Sequence, residues 1–321
     1  MHHVVRAAEA LFDELAAIHW RLVLLAALTH LTKTIARSRA WRNIVQAAHP
    51  AAPVRWRSVL GAYAAGVGVN ALLPARSGDL LKLYLVRRSV PGIAYSTLAA
   101  TLVVETLFDM VVASALLAWA LTLGVLPSLH ALPVLPQIDW LWLFQHPRAA
   151  LAAAVGALVA GFVAGVWASS RIRAFRERVA SGLAILRRPR DYLRRVVTWQ
   201  ALDWGLRLTT IYLLLTAFGV PATVHNALLV QVTQSLSTVL PITPGGIGTE
   251  QALLAYVFAG IAPAADVLSF SVGMKMMIII VNVAAGAVAL FLMARTLRWR
   301  RLVEEAEEQQ ERQEHLSATS R

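Results

Sequence analysis

Residues 239–258 read VLPITPGGIGTEQALLAYVF, and the fold turns on how this stretch is read. Pro241, Pro244, Gly245, Gly246, Gly248 and Glu250 interrupt an otherwise apolar run. In a soluble chain this would be a loop leading into a helix. The surroundings decide otherwise. The 321 residues are 58% hydrophobic and only 15% charged, against about 25% charged in a soluble domain. Windows 151–168 and 276–294 carry no charged residue and are long enough to be transmembrane candidates. The chain reads as an all-α polytopic membrane protein, which puts the interrupted stretch at membrane depth.

The net charge of +12 does not point to nucleic acid, because the cations cluster between apolar segments. Residues 33–57 hold six Lys and Arg, residues 171–195 hold nine, and none occurs from 208 to 274. Cytoplasmic loops carry such an excess, so 37–57, 87–93, 171–195 and the C-terminus are expected in the cytoplasm. Residues 127–147 and the neighbourhoods of 221 and 263 are expected outside. Full crossings follow at 96–124, 149–168, 199–219 and 266–294, with a shorter one near 18–36, about five in all. The chain has no cysteine, which removes disulfides and thiolate metal sites. Its organisation is an amphipathic N-terminal segment (1–20), a membrane domain (21–295) and a charged cytoplasmic tail (296–321).

Two apolar segments do not fit as single crossings. Residues 59–90 begin and end beside cytoplasmic arginines, whereas 225–262 begin and end on the cation-poor side. Both are broken in the middle, the first at NALLPARSGDLLKLYLVRR (70–88). We read them as two re-entrant helical hairpins of opposite orientation, an inverted pseudo-repeat. Interrupted apolar segments at corresponding positions of two halves mark transporter-type sites. The alternative is a pair of ordinary spans kinked by Pro and Gly.

After each break a half-helix begins, and its first N–H groups lack intrahelical partners. With the helix dipole they attract anions. Ser77 and Thr249 are expected to cap these half-helices, with Asp79 and Glu250 in the first turns. Gly78 lies between cap and acid in the first break; in the second, Gly245, Gly246 and Gly248, which follow Thr243, would let backbone approach a ligand. Arg76 and Lys82 flank Asp79 and can pair with it. Glu250 has no base nearby in sequence, and Lys275, alone in the last span, needs a partner. Glu105 and Asp109 lie one turn apart on one helix face, as do Asp203 and Arg207. Charges within spans face a cavity or one another, so these residues are expected to line or brace one polar cavity. A structural i,i+4 pair is the alternative for Asp203 and Arg207, and plain helix stabilisation for Asp79 and Glu250.

The segments NALLPARSGDLLKLYLVRR, VVETLFDM and LSTVLPITPGGIGTEQALLAYV together resemble the transmembrane region of the lysylphosphatidylglycerol synthase/flippase family. The family pattern of Pro-x-Arg-x-Gly-acid falls on Pro74, Arg76, Gly78 and Asp79. Its acidic segment falls on Glu105 and Asp109. Its Pro-x-Thr-Pro-Gly-Gly-x-Gly-x-Glu motif falls on Pro241, Thr243, Pro244, Gly245, Gly246, Gly248 and Glu250. Thr106 and Lys275 depart from the arginines usual at those places. The resemblance implies a multi-pass protein of the cell membrane that moves or binds phospholipid- or polyprenyl-type lipids between leaflets. The tail after Glu304 is too short for a synthase domain, so aminoacyl transfer is not expected.

Lipid translocation is therefore the leading functional reading, with membrane lipids of anionic headgroup as partners. Arg76, Lys82, Lys275 and the half-helix ends would hold the headgroup. No cofactor, metal site or nucleic-acid partner is expected, and a homodimer is an option the sequence leaves open. A membrane enzyme acting on a lipid phosphate is the first alternative, through clustered carboxylates. A small-solute or ion-coupled transporter is the second. The basic stretch 171–195 reads as an interfacial amphipathic helix on anionic lipid or as a topology anchor.

Overall fold

In the computed structural model, residues 18–73, 77–122, 173–239 and 248–319 are described, and they contain helices and no strand. In chain order the helices are α1 (Trp20–Ala48), α2 (Trp56–Leu72), α3 (Ser77–Ser89), α4 (Tyr95–Thr122) and α5 (Arg173–Gly182). A 3-10 turn (Ala184–Arg187), a short helix (Pro189–Tyr192) and a π segment (Leu193–Val197) then lead into α6 (Thr198–Ala217). The series closes with α7 (Val224–Val239), α8 (Thr249–Val257) and α9 (Ala264–Thr319). The expected crossing at 149–168, the loop at 127–147 and most of the amphipathic segment lie outside the described residues.

Several of these helices are patterned inside out. On α1, Leu24, Leu28, Leu31 and Ile35 are exposed, while His30, Thr34 and Arg37 on the opposite side are buried. On α9, Leu268, Val272, Met276 and Ile280 form an exposed stripe at four-residue spacing. A water-soluble helix turns its apolar stripe inward; here apolar side chains look out and polar ones look in. Two helices are long and apolar enough to cross a bilayer, over Tyr95–Ala120 and Ala264–Arg295. Only 22% and 17% of their most apolar windows are buried, so these are not core helices of a soluble protein.

Three apolar clusters hold the bundle. One joins α6, α7, α8 and α9 around Leu214, Leu254, Phe258 and Phe270. A second joins α1, α2 and α3 around Trp41, Val59 and Val86, and a third seats α1 and α4 on Ile185 and Val196. In both interrupted segments the two flanking helices pack on each other. In the first, Gly78 and Lys82 of α3 lie against Gly66 of α2; in the second, Gln234 of α7 meets Glu250 of α8.

Small residues set these distances, as they do between membrane helices generally. A Cβ on Gly78 would stand 1.9 Å from the carbonyl oxygen of Gly66. On the other side of α2, Gly68 faces Gly286 of α9, where a Cβ on either would come within 2.8 Å of the other's Cα. Hairpin α2–α3 is thereby tied to the last span.

Two features differ from expectation. The first helix runs to Ala48 rather than ending near residue 36, so Arg37 lies inside a helix and not in a loop. Its charge is tolerated there because carboxylates from other helices meet it. The described part of that stretch, 173–195, is a series of short pieces broken at Leu183 and Arg188, the second break falling before Pro189, which cannot continue a helix through its own N–H. The tail beyond 295 continues α9 as one helix to Thr319.

Candidate functional site

Residues from six helices enclose a cavity of about 340 Å³. Its polar wall comes from His30, Lys33, Thr34 and Arg37 on α1, Asp109 on α4, Asp203, Arg207 and Thr210 on α6, Gln234 on α7 and Asn282 on α9. Tyr63, Val67, Ile211, Met274 and Ile278 supply apolar wall. The α1 residues share a face because residues three and four apart on a helix are neighbours.

Arg37 is the hub. Its Nε donates to Glu105 Oε1 at 3.0 Å, and its Nη1 to Asp109 Oδ1 at 2.9 Å and Asp203 Oδ2 at 3.2 Å. Its Nη2 donates to Asp109 Oδ2. One planar guanidinium thus joins α1, α4 and α6, a geometry for which its rigid fork is suited. Further donors hold the acids in place. Trp204 Nε1 reaches Asp109 Oδ1 at 2.9 Å, and Gln200 Nε2 reaches the backbone oxygen of Glu105 at 2.7 Å. Arg207 Nη2 lies 3.4 Å from Asp203 Oδ2, so the expected i,i+4 pair forms, and it forms at the cavity wall.

Behind this wall the charges continue into hairpin α2–α3. Lys82 Nζ lies 3.4 Å from Glu105 Oε2 and 3.5 Å from Asp79 Oδ1, over the rings of Trp41 and Tyr63. Glu105 is only 3% exposed, so it is held between Arg37 on one side and Lys82 on the other. Neither Lys82, Glu105 nor Asp79 belongs to the cavity wall itself; they brace it.

Hairpin α7–α8 repeats this arrangement. Glu250, 3% exposed, accepts from Lys275 Nζ at 2.9 Å and from Gln234 Nε2 at 3.0 Å. Asp79 likewise has a lysine at 3.5 Å and a carboxamide, Asn70 Nδ2, at 3.4 Å. In each hairpin, then, an acid in the first turn of the second helix meets an amide from the first helix and a lysine. Gln234 lines the cavity while Glu250 and Lys275 stand one side chain behind it. Substituting Glu250→Gln is expected to lower the melting temperature of the detergent-solubilised protein. The double variant with Lys275→Met should recover part of that loss, as coupled pairs do. A double variant no more stable than the sum of the singles would show that the two do not act as a pair.

The expected caps are corrected. Ser77 Oγ is buried without a hydrogen-bond partner among the described residues. Asn70 Oδ1, from α2, instead accepts the Gly78 N–H at 2.7 Å. An amide across the hairpin reaches that donor where the helix-to-helix contact at Gly78 brings it close. Thr249 is the first helical residue rather than the cap. Gly248 holds the cap position at φ +92°, and its N–H donates to Gln251 Oε1 at 2.7 Å. A positive φ favours glycine over residues with a Cβ. Arg76, Thr243, Gly245 and Gly246 lie outside the described residues.

Sequence reasoning misses Arg37, Lys33 and His30 as site residues. The one signal for them is their spacing, which places all three on one helical face, together with Thr34. It is masked by the neighbouring Arg39, Arg42, Arg55 and Arg57, which make the whole run read as a loop.

A family model described as "Lysylphosphatidylglycerol synthase TM region" matches residues 4–286, and the chain belongs to that family. It is a membrane protein, and its described residues contain helices and no strand. No curated protein and no solved structure matches it.

Proposed function

We propose that this family member takes the headgroup of a membrane lipid into the Arg37 cavity and moves it between leaflets while the acyl chains stay in the bilayer. One observation carries the reading: a charged cavity of about 340 Å³ lies inside a bundle whose outer stripes are apolar. Charges within spans face a cavity and mark substrate pathways, and a transporter site lies near midplane between broken helices. The two interrupted hairpins with the same acid–amide–lysine arrangement support a pseudo-repeat entering from opposite faces. The exposed arginines at 187, 188, 190, 194 and 195 support a cytoplasmic placement of that segment, and with it a cytoplasmic C-terminus in the cell membrane.

The test is reconstitution into vesicles carrying a fluorescently tagged phospholipid, with a membrane-impermeant quencher added outside. Quenching is expected to proceed beyond the outer leaflet's half of the signal, and to need the protein. A signal that stays at half, in vesicles where a control scramblase drives it lower, would sink the proposal.

A further inference from the structure

Among the described residues, the charges around the cavity balance. Lys33, Arg37 and Arg207 on the wall and Lys82 behind it stand against Asp79, Glu105, Asp109 and Asp203. Asp79 belongs to this set because it lies 3.5 Å from Lys82. Glu250 and Lys275, one side chain further back, form a neutral pair of their own. An uncompensated charge inside a membrane bundle is costly, and neutrality avoids that cost. The same cost falls on cargo. A headgroup of net negative charge entering alone would leave the cavity with one negative charge in excess.

One group on the wall can supply the missing positive charge. Histidine is the side chain that gains or loses a proton near neutral pH, and among the histidines with described side chains His30 alone lines the cavity. It is 4% exposed, and its Nε2 lies 2.9 Å from Asn282 Oδ1. That oxygen only accepts, so Nε2 carries the hydrogen. Nδ1 is then the atom that takes a second proton, and it makes no hydrogen bond with a described residue. Around the cavity, α1 brings Lys33 and Arg37, α6 brings Asp203 and Arg207, α4 brings Asp109 and α2 brings Tyr63. From α7 comes the uncharged Gln234, and from α9 Asn282, while Lys275 of α9 is paired with Glu250. Neither wall acid is bonded to His30. Asp109 is held by Arg37 and Trp204, and Asp203 by Arg37 and Arg207. A protonated His30 would therefore stand with Lys33, one turn along α1, and Arg207, and with no carboxylate of its own. An anion in the cavity is the partner it lacks.

We infer that a headgroup of net negative charge enters the cavity together with one proton, taken from water by His30 Nδ1, so that lipid movement is coupled to proton movement. The inference rests on the function proposed above and concerns what drives it. Coupling of this kind is reciprocal: if the bound anion favours the proton, the proton favours the anion by the same factor. Anion affinity then falls as pH rises, by up to about tenfold per pH unit where one proton is exchanged. A headgroup of no net charge needs no proton and shows no such dependence.

The test is calorimetry of short-chain lipids binding to the purified full chain in detergent. The probes are dihexanoyl phosphatidylmethanol, which is an anion, and dihexanoyl phosphatidylcholine, which has no net charge. Each titration is run in Tris and in Bis-Tris, cationic buffers of unlike ionisation heat, so that the difference in heat counts the protons taken up. Phosphatidylmethanol is expected to bind with uptake of up to about one proton, and to weaken as pH rises from about 6 to 8. Phosphatidylcholine should do neither. His30→Gln, whose amide can keep the bond to Asn282 Oδ1, should bind phosphatidylmethanol without proton uptake and with one affinity across that range. Its melting temperature is measured beside the parent's, and the proton count on the parent needs no variant. Phosphatidylmethanol bound without proton uptake would overturn the inference and leave the proposed function standing. Uptake that persists in His30→Gln would overturn the assignment to His30. Failure of both probes to bind would overturn the inference too, and the vesicle assay above then decides whether the function falls with it.

Discussion

Replacing Arg37 by methionine is expected to destabilise the protein more than any other single change at the cavity. The side chain is buried and bonded to three carboxylates on two other helices. Among the described residues, removing it leaves Asp109 with Trp204 as its remaining direct donor, Glu105 with Lys82 and the Tyr63 hydroxyl, and Asp203 with Arg207 at 3.4 Å. Breaking a buried ion pair by deleting one partner typically costs about 3–5 kcal/mol, because the surviving charge is left uncompensated. The variant should melt far below the parent in detergent. Neutralising the acids in the same background (Asp109→Asn with Asp203→Asn) should recover part of the loss, since it removes the charges that Arg37 served. A melting temperature unchanged by Arg37→Met would show that the hub does not hold α1, α4 and α6 together.

Gly78→Ala is expected to be the second most damaging. The added Cβ would lie 1.9 Å from the Gly66 carbonyl oxygen and 2.8 Å from Asn70 Oδ1. The first of these is backbone and cannot rotate away, so α3 must move off α2. That motion would separate Asn70 from the Gly78 N–H and draw Lys82 from Glu105. Overpacking costs about 1–3 kcal/mol where side chains can adjust, and this site has less freedom than that. A fall in melting temperature together with loss of lipid movement is the expected result. Gly205→Ala is the control, because a Cβ there meets nothing within 4 Å. Equal behaviour of the two variants would refute the close-packing argument.

Much of the site is legible along the chain, for local reasons. Glu105, Asp109, Asp203, Arg207 and Lys275 each stand in an apolar run, where a charge is conspicuous because its desolvation has to be compensated. Pro and Gly at 74, 78, 241, 244, 245, 246 and 248 mark breaks because they restrict or release the backbone. Arg37 is opaque for the opposite reason. It sits among other cations, and its partners lie 68, 72 and 166 residues away in sequence.

The membrane class, the two interrupted segments and the set of charges that need partners all follow from residue order. Hydropathy, chain breaks and the cost of burying charge are properties of short stretches, so no neighbour in space has to be known. The pairing of those charges is a matter of packing alone. Lys275 meets Glu250, Lys82 is shared by Asp79 and Glu105, and Arg37 takes Glu105, Asp109 and Asp203, while Arg207 Nε is buried without a partner among the described residues. Which cation meets which acid depends on how helices far apart in sequence cross. Close contacts such as Gly66 with Gly78 and Gly68 with Gly286 set those crossings, so the partners follow from the helix contacts rather than from spacing.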